Sequence, residues 1–211
     1  PDVIGINHYL TSDRFLDHRL ERYPPERRGG SDVAAYADVE AARVLLPEPD
    51  GLEGALRETY ARYGLPIAVT EVHNGCTREE QMRWLLEAWR TAGRLLGEGL
   101  PIRAITAWSL LGAYDWDSLL TRNDNRYEPG VFDLRGGMPR KTALADLMFA
   151  LASGQAPHPI AEEPGWWRRD LRLEYQPVSR IALGPSAPRR PNARGAVRPI
   201  LIAGATGALG Q

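Results

Sequence analysis

Three short apolar runs separated by helical stretches constrain this chain more than any other feature. They are VIGINHY (Val3 to Tyr9), PIAVTE (Pro66 to Glu71) and IRAITAWSLL (Ile102 to Leu111). Each is continuous rather than alternating in polarity, which is the pattern of a strand buried on both faces. Between the second and third runs, Thr77 opens a helix. Thr77 and Glu80 have capping-box spacing, and Met82, Leu85, Leu86, Trp89, Leu95 and Leu96 form one apolar stripe ended by Gly97 and Gly99. Ahead of the second run, Leu52, Leu56, Tyr60 and Tyr63 share a helical face and Gly64 stops it. A last amphipathic helix from about Lys141 to Ala152 turns Leu144, Leu147, Met148 and Leu151 inward. Asp32 to Leu46 is expected to be helical too, with long loops over Thr11 to Gly30 and Gly112 to Pro139.

Strands separated by helices imply right-handed crossovers and a parallel sheet, hence an α/β fold. Three such units cannot close a sheet. A (β/α)8 TIM barrel takes about 250 residues, and residues 1–152 fit its last three βα units. From Ser153 to Val197 proline and arginine dominate, interrupted by Trp166 and Trp167, which reads as a linker partly packed on its neighbour. Residues 198–211 change character again. PILIA (Pro199 to Ala203) reads as a buried strand, and Gly204, Gly207 and Gly210 follow it as G-x-x-G-x-x-G. Glycines there let the backbone turn tightly and approach a pyrophosphate at a helix N-terminus. The expectation is the first strand and turn of a Rossmann NAD(P)-binding domain; the alternative is a Gly/Ala-rich tail. The chain starts at Pro1 inside an apolar run and stops in a motif that normally opens a domain, so it reads as a fragment truncated at both ends.

Composition removes several classes. With 43% hydrophobic residues and a net charge of −1 the chain is neither disordered nor basic enough to bind nucleic acid. No run approaches the roughly 18 apolar residues of a membrane span. Cys76 is the sole cysteine, so no internal disulfide forms. His73-x-x-Cys76 supplies two ligands where a structural zinc takes four, and no metal is expected.

Glu71 is the leading chemical candidate, because it ends an apolar parallel strand where barrel enzymes build their sites. A carboxylate there is solvated, paired with an arginine, or used. Asn7 and Tyr9 lie at the same end of the first strand, as strand caps or as an amide and a phenol for a polar substrate. Trp108, Asp115 and Trp116 end the third run. Tryptophans beside a carboxylate suit a sugar, the indole covering C–H faces while the acid accepts from hydroxyls; core packing is the alternative for each indole.

In order along the chain, four stretches resemble the C-terminal part of a family 1 β-glycosidase. GINHYLT (Gly5 to Thr11) is similar to that family's glycine-x-Asn-Tyr-Tyr-Thr strand, and GLEGALRETYARYGLPIAVTE (Gly51 to Glu71) to its helix and nucleophile strand. WSLLGAYDW (Trp108 to Trp116) is similar to its WSLLDNFEW, and YEPGVFDLR with MPRKTALADL to its closing segment. The likeness covers about 150 residues. It implies a retaining β-glycosidase that hydrolyses O-glycosyl bonds without a cofactor. Glu71 would be the nucleophile, Tyr9 the tyrosine that positions it and Asn7 its neighbour. Trp108 would be the platform under the sugar, and Asp115 with Trp116 the pair that holds its hydroxyls.

Three departures matter. The family's Glu-Asn-Gly becomes Glu71-Val72-His73-Asn74-Gly75, its sugar-binding glutamate becomes Asp115, and a tyrosine becomes His8. The family's acid/base, in an Asn-Glu-Pro context, has no counterpart here, so the fragment itself is expected to be inactive. PILIAGATGALGQ resembles the opening of dTDP-4-dehydrorhamnose reductases, extended short-chain dehydrogenases, which implies NAD(P) and a nucleotide sugar for a second domain. The joint reading is a glycosidase fused to a sugar-nucleotide reductase, in the cytoplasm, with saccharide and nucleotide-sugar partners and neither nucleic acid nor membrane. The alternative is a barrel that binds saccharide without hydrolysing it, as sensor or scaffold for the reductase.

Overall fold

A computed structural model describes residues 1–183. The strand expected at 199–203 and the glycines Gly204, Gly207 and Gly210 lie outside the described residues. In chain order β1 (Ile4–Tyr9) is followed by β2 (Arg14–Asp17), β3 (Arg28–Gly30), β4 (Ala35–Glu40) and β5 (Leu45–Leu46). Then come α1 (Gly51–Tyr63), β6 (Ile67–His73), α2 (Arg78–Gly97) and β7 (Ile102–Ala107). The two-residue strands β8 (Ala113–Tyr114), β9 (Tyr127–Glu128), β10 (Phe132–Asp133) and β11 (Arg140–Lys141) precede α3 (Ala143–Ala152). After it come α4 (Pro159–Glu162) and β12 (Val178–Ser179).

The three apolar runs form one parallel sheet in the order β1-β6-β7. β6 is central, and Ile67, Val69 and Val72 are buried against the helices. Leu52 and Leu56 of α1, a stripe on α2 and Leu144 and Leu147 of α3 complete this core. Truncating a side chain as enclosed as Leu56 to alanine costs about 2–5 kcal/mol. α1 ends at Gly64, whose φ of 64° is the left-handed conformation a helix C-terminus favours.

Several local expectations are corrected. The inner stripe of α2 runs through Trp84, Leu85, Ala88, Ala92 and Leu95, which leaves Trp89 and Leu96 exposed. The Thr77 side chain makes no capping bond. Glu80 is buried instead, and accepts from the Trp166 amide and from Arg83 and Arg169. A local cap loses to three donors brought in by the packed chain. The third strand stops at Ala107 rather than Leu111, because Ser109 and Leu110 turn their carbonyls to the amides of Val131 and Phe132.

The helix expected over Asp32 to Leu46 is a strand. β4 pairs antiparallel with both β2 and β3, and alternates in burial so that Ala37 and Val39 point inward. Alanine and glutamate are good helix formers, but propensity is a weak term, and two paired neighbours over a buried Tyr23 override it. The expected loop at Thr11 to Gly30 therefore carries two strands of a second small sheet. Asp17 anchors it: the carboxylate accepts the Arg19 guanidinium at 2.8 Å on each oxygen and the Tyr23 hydroxyl at 2.9 Å.

Residues 153–183 fold back on the chain. Trp167 is buried and donates its indole N–H to Glu87 at 2.8 Å. Arg43 stacks over Trp166 at 4.1 Å, and Arg168 bridges Glu48 and Glu87. Arg172 is buried and donates to the carbonyls of Ala42 and Leu45, and β12 pairs with β5. Leu171 faces solvent. Among the described residues no helix is long and apolar enough to cross a membrane.

Candidate active site

The C-terminal ends of β1, β6 and β7 bring chemistry-bearing residues together. The register of β1 on β6 runs Ile6 to Val69 and then Asn7 to Glu71, so Thr70 is an extra residue, a bulge. A bulge re-aims the side chains of its strand. Here Thr70 donates its hydroxyl to Asn7 Oδ1 at 2.6 Å, and Glu71 receives the Tyr9 hydroxyl on Oε2. Gly5 makes room for this: a Cβ there would stand 3.1 Å from Thr70 Cγ2. Burial, then the hydrogen bond and the charge of Glu71, push the Tyr9 phenol well above its usual range. It stays a neutral donor, and the half-buried Glu71 carboxylate is held by one hydroxyl with no arginine on it among the described residues.

An aromatic wall extends from this pair. The Tyr9 ring meets His73 edge-on at 6.2 Å, His73 meets Trp108 at 4.8 Å, and Trp108 meets Trp116 at 4.8 Å. Trp116 is 52% exposed. Such a surface suits the C–H face of a sugar better than a packed core does. The loop after β7 that carries it is pinned by Gly130, where a Cβ would collide with the Ser109 carbonyl at 2.2 Å.

Asp115 sits differently from Glu71. It is buried at a φ of 51°, and its two oxygens accept the backbone amides of Arg126 at 2.7 Å and Asn125 at 2.9 Å. The carboxylate closes its own loop, and its neighbour Trp116 alone reaches the aromatic wall. Asn7, Tyr9, Glu71, Trp108 and Trp116 therefore gather at the ends of the parallel strands, and Asp115 is buried in the loop that carries Trp116.

Residue typing missed several polar groups of the same region. His73 lies two positions beyond Glu71, and a period of two was the available signal. Its Nε2 is 3.1 Å from Glu128 Oε1, which also accepts Gln81 Nε2 at 2.9 Å. His73, Glu128, Gln81 and Arg78 line an open cleft of about 760 Å³ that Tyr9 and Trp116 also border. Arg78 and Gln81 read only as the start of a helix in the sequence.

No family model matches the chain. It is similar to a β-galactosidase of Sulfolobus acidocaldarius, 28% identical over 126 residues, and to β-glucosidase 47 of Arabidopsis thaliana, 29% identical over 155 residues. These matches cover 56% and 67% of the chain but 25% and 28% of the two relatives, so the chain spans about a quarter of their length. Among solved structures, a β-glycosidase of Pyrococcus horikoshii superposes with a TM-score of 0.53 at 17% identity, over 82% of this chain and 39% of that one. The β-glycosidase of Thermosphaera aggregans gives 0.51 at 21% identity, over 76% and 34%. The mixed α/β fold with its parallel sheet thus resembles part of the fold of these β-glycosidases.

Proposed function

We propose that the full-length protein is a retaining β-glycosidase of the family 1 type and that this chain carries its nucleophile. The observation that supports this most is the Tyr9–Glu71 pair at the end of the central parallel strand, beside the wall of Trp108 and Trp116. In this reading the sugar lies on the indoles and Asn7 meets one of its hydroxyls. Glu71 attacks the anomeric carbon, the aglycone leaves, and water then breaks the glycosyl-enzyme ester. Tyr9 holds the carboxylate in line until the bond forms. The proton for the leaving group is assigned to a second carboxyl, about 5–5.5 Å from Glu71, contributed by sequence outside these 211 residues. In the full-length protein, Glu71→Gln abolishes hydrolysis of aryl β-glycosides. Wild-type turnover by that variant would overturn the assignment.

A second reading, a barrel that binds saccharide without hydrolysing it, draws on Asp115, whose carboxylate is occupied by backbone amides. Measurable turnover of any β-glycoside removes it. The C-terminal glycine motif carries a separate proposal: Gly204, Gly207 and Gly210 open an NAD(P)-binding domain that reduces a nucleotide sugar. A longer chain starting near Arg194 would bind NADH or NADPH; binding of neither would sink that proposal.

A further inference from the structure

The cleft beside the aromatic wall continues past Tyr9 to the first turn of α2. Three of its side chains hold buried polar atoms with no partner among the described residues: Asn74 Nδ2, Gln81 Oε1 and Arg78 Nη1. Asn74 and Gln81 are each only 6% exposed, so these atoms have little access to bulk water. Buried polar groups are ordinarily bonded, and two unmet donors at one place call for an acceptor.

The charges of the cleft point the same way. Arg126 is matched by Asp117 at 2.9 Å. Glu128 accepts the Gln81 amide at 2.9 Å and lies 3.1 Å from His73 Nε2. Arg78 donates one N–H to the Pro129 carbonyl at 2.8 Å, and among the described residues no carboxylate stands within ion-pair distance of it. Burial works against its charge, although Glu128 and Asp133 partly offset that. A guanidinium remains charged at any ordinary pH.

We propose that this cleft binds the anionic group of a saccharide, a carboxylate or a phosphate ester, through Arg78 Nη1 and Asn74 Nδ2. Gln81 Oε1 accepts a neighbouring hydroxyl or the proton of a monoanionic phosphate. The saccharide part of this statement rests on the glycosidase reading; the anion part does not. A sugar lying on Trp116 would project its charged substituent toward α2, so the cleft selects acidic or phosphorylated sugars over neutral ones.

The test measures affinity of the full chain, at low salt, for methyl β-glucuronide, glucose 6-phosphate, neutral methyl β-glucoside and inorganic phosphate. One anionic sugar is expected to bind at least about tenfold more tightly than the neutral one, as one charge-assisted contact allows. Which of the two does so identifies carboxylate or phosphate as the group. The anionic-to-neutral ratio falls toward one in Arg78→Gln, is partly kept in Arg78→Lys, and persists in Arg62→Gln, a charge loss on the exposed end of α1. Equal affinities in the wild type, or a ratio unchanged in Arg78→Gln, overturn the anion site and leave the glycosidase reading standing. Phosphate binding that depends on Arg78 without binding of any sugar keeps the anion site and removes its saccharide. Absence of binding by all four probes overturns the proposal.

Discussion

The described residues hold two tyrosine–carboxylate pairs, and their surroundings assign them opposite work. In the small antiparallel sheet, Tyr23 donates to Asp17, and Arg19 closes a fork on the same carboxylate. Burial opposes the Asp17 charge, but hydrogen bonds from the Arg19 side chain and backbone and from Tyr23 outweigh it and pull the carboxyl down to about 2. In the parallel sheet, Tyr9 donates to Glu71, with no arginine beside it among the described residues. A carboxylate satisfied on both oxygens is a brace. One restrained by a single hydroxyl at a strand end keeps lone pairs for chemistry. Asp115 and Asp133 belong with the brace: the first is spent on two amides, and the second is driven well below the usual carboxylate range by hydrogen bonds from the side chain and backbone of Arg135.

The contrast can be broken from either side. The largest effect is expected for Glu71→Gln in the full-length protein. Its turnover falls by at least about 10³-fold, roughly 4 kcal/mol of barrier, while its melting temperature stays at the wild-type value. A fallen melting temperature would make Glu71 a brace as well. Asp17→Asn is expected to behave inversely, because it leaves Arg19 and Tyr23 without their partner. Denaturant unfolding should show a loss of about 3 kcal/mol, with turnover per folded molecule unchanged.

The tyrosines separate next. Tyr9→Phe should lower kcat about ten- to a hundredfold, or about 1.4–2.8 kcal/mol, and Tyr23→Phe should instead cost about 1–2 kcal/mol of stability. Equal effects on kcat would erase the distinction. The remaining test is one of pH. The folded Asp17 carboxyl titrates near 2, below its ordinary value of about 3.9. Its contribution to stability is therefore complete above about pH 4 and lost as the pH falls through 2. An acid titration followed by the tyrosine signal of the small sheet should show this, and Asp17→Asn should flatten it.

The same contrast marks what the sequence discloses. The parallel sheet was legible because its strands are continuous apolar runs, and Glu71, Tyr9 and Asn7 announce themselves as polar residues where those runs end. The antiparallel sheet was not. AYADVE has residues that serve a helix as well as a strand, and its pairing with β2 and β3 depends on contacts made by residues 14–30. The backbone amides that Asp115 accepts lie ten and eleven residues away and carry no side-chain signature, so its buried, loop-closing place was not legible. Arg78 escaped notice for a related reason: a first-turn arginine becomes informative only once the structure shows that no carboxylate among the described residues lies within ion-pair distance of it.

The returning segment has a consequence for the order of events during synthesis. Arg172 reaches the Leu45 carbonyl across 127 residues of chain. At translation rates of about 5–20 residues per second, roughly 6 to 25 seconds separate the two. Through that interval Val44 and Leu45 have emerged without Arg172 or Val178 to cover them. Contacts of such separation form late and slowly. The nascent chain therefore passes through a period in which an apolar patch near residue 45 is open to chaperones and to other unfinished chains.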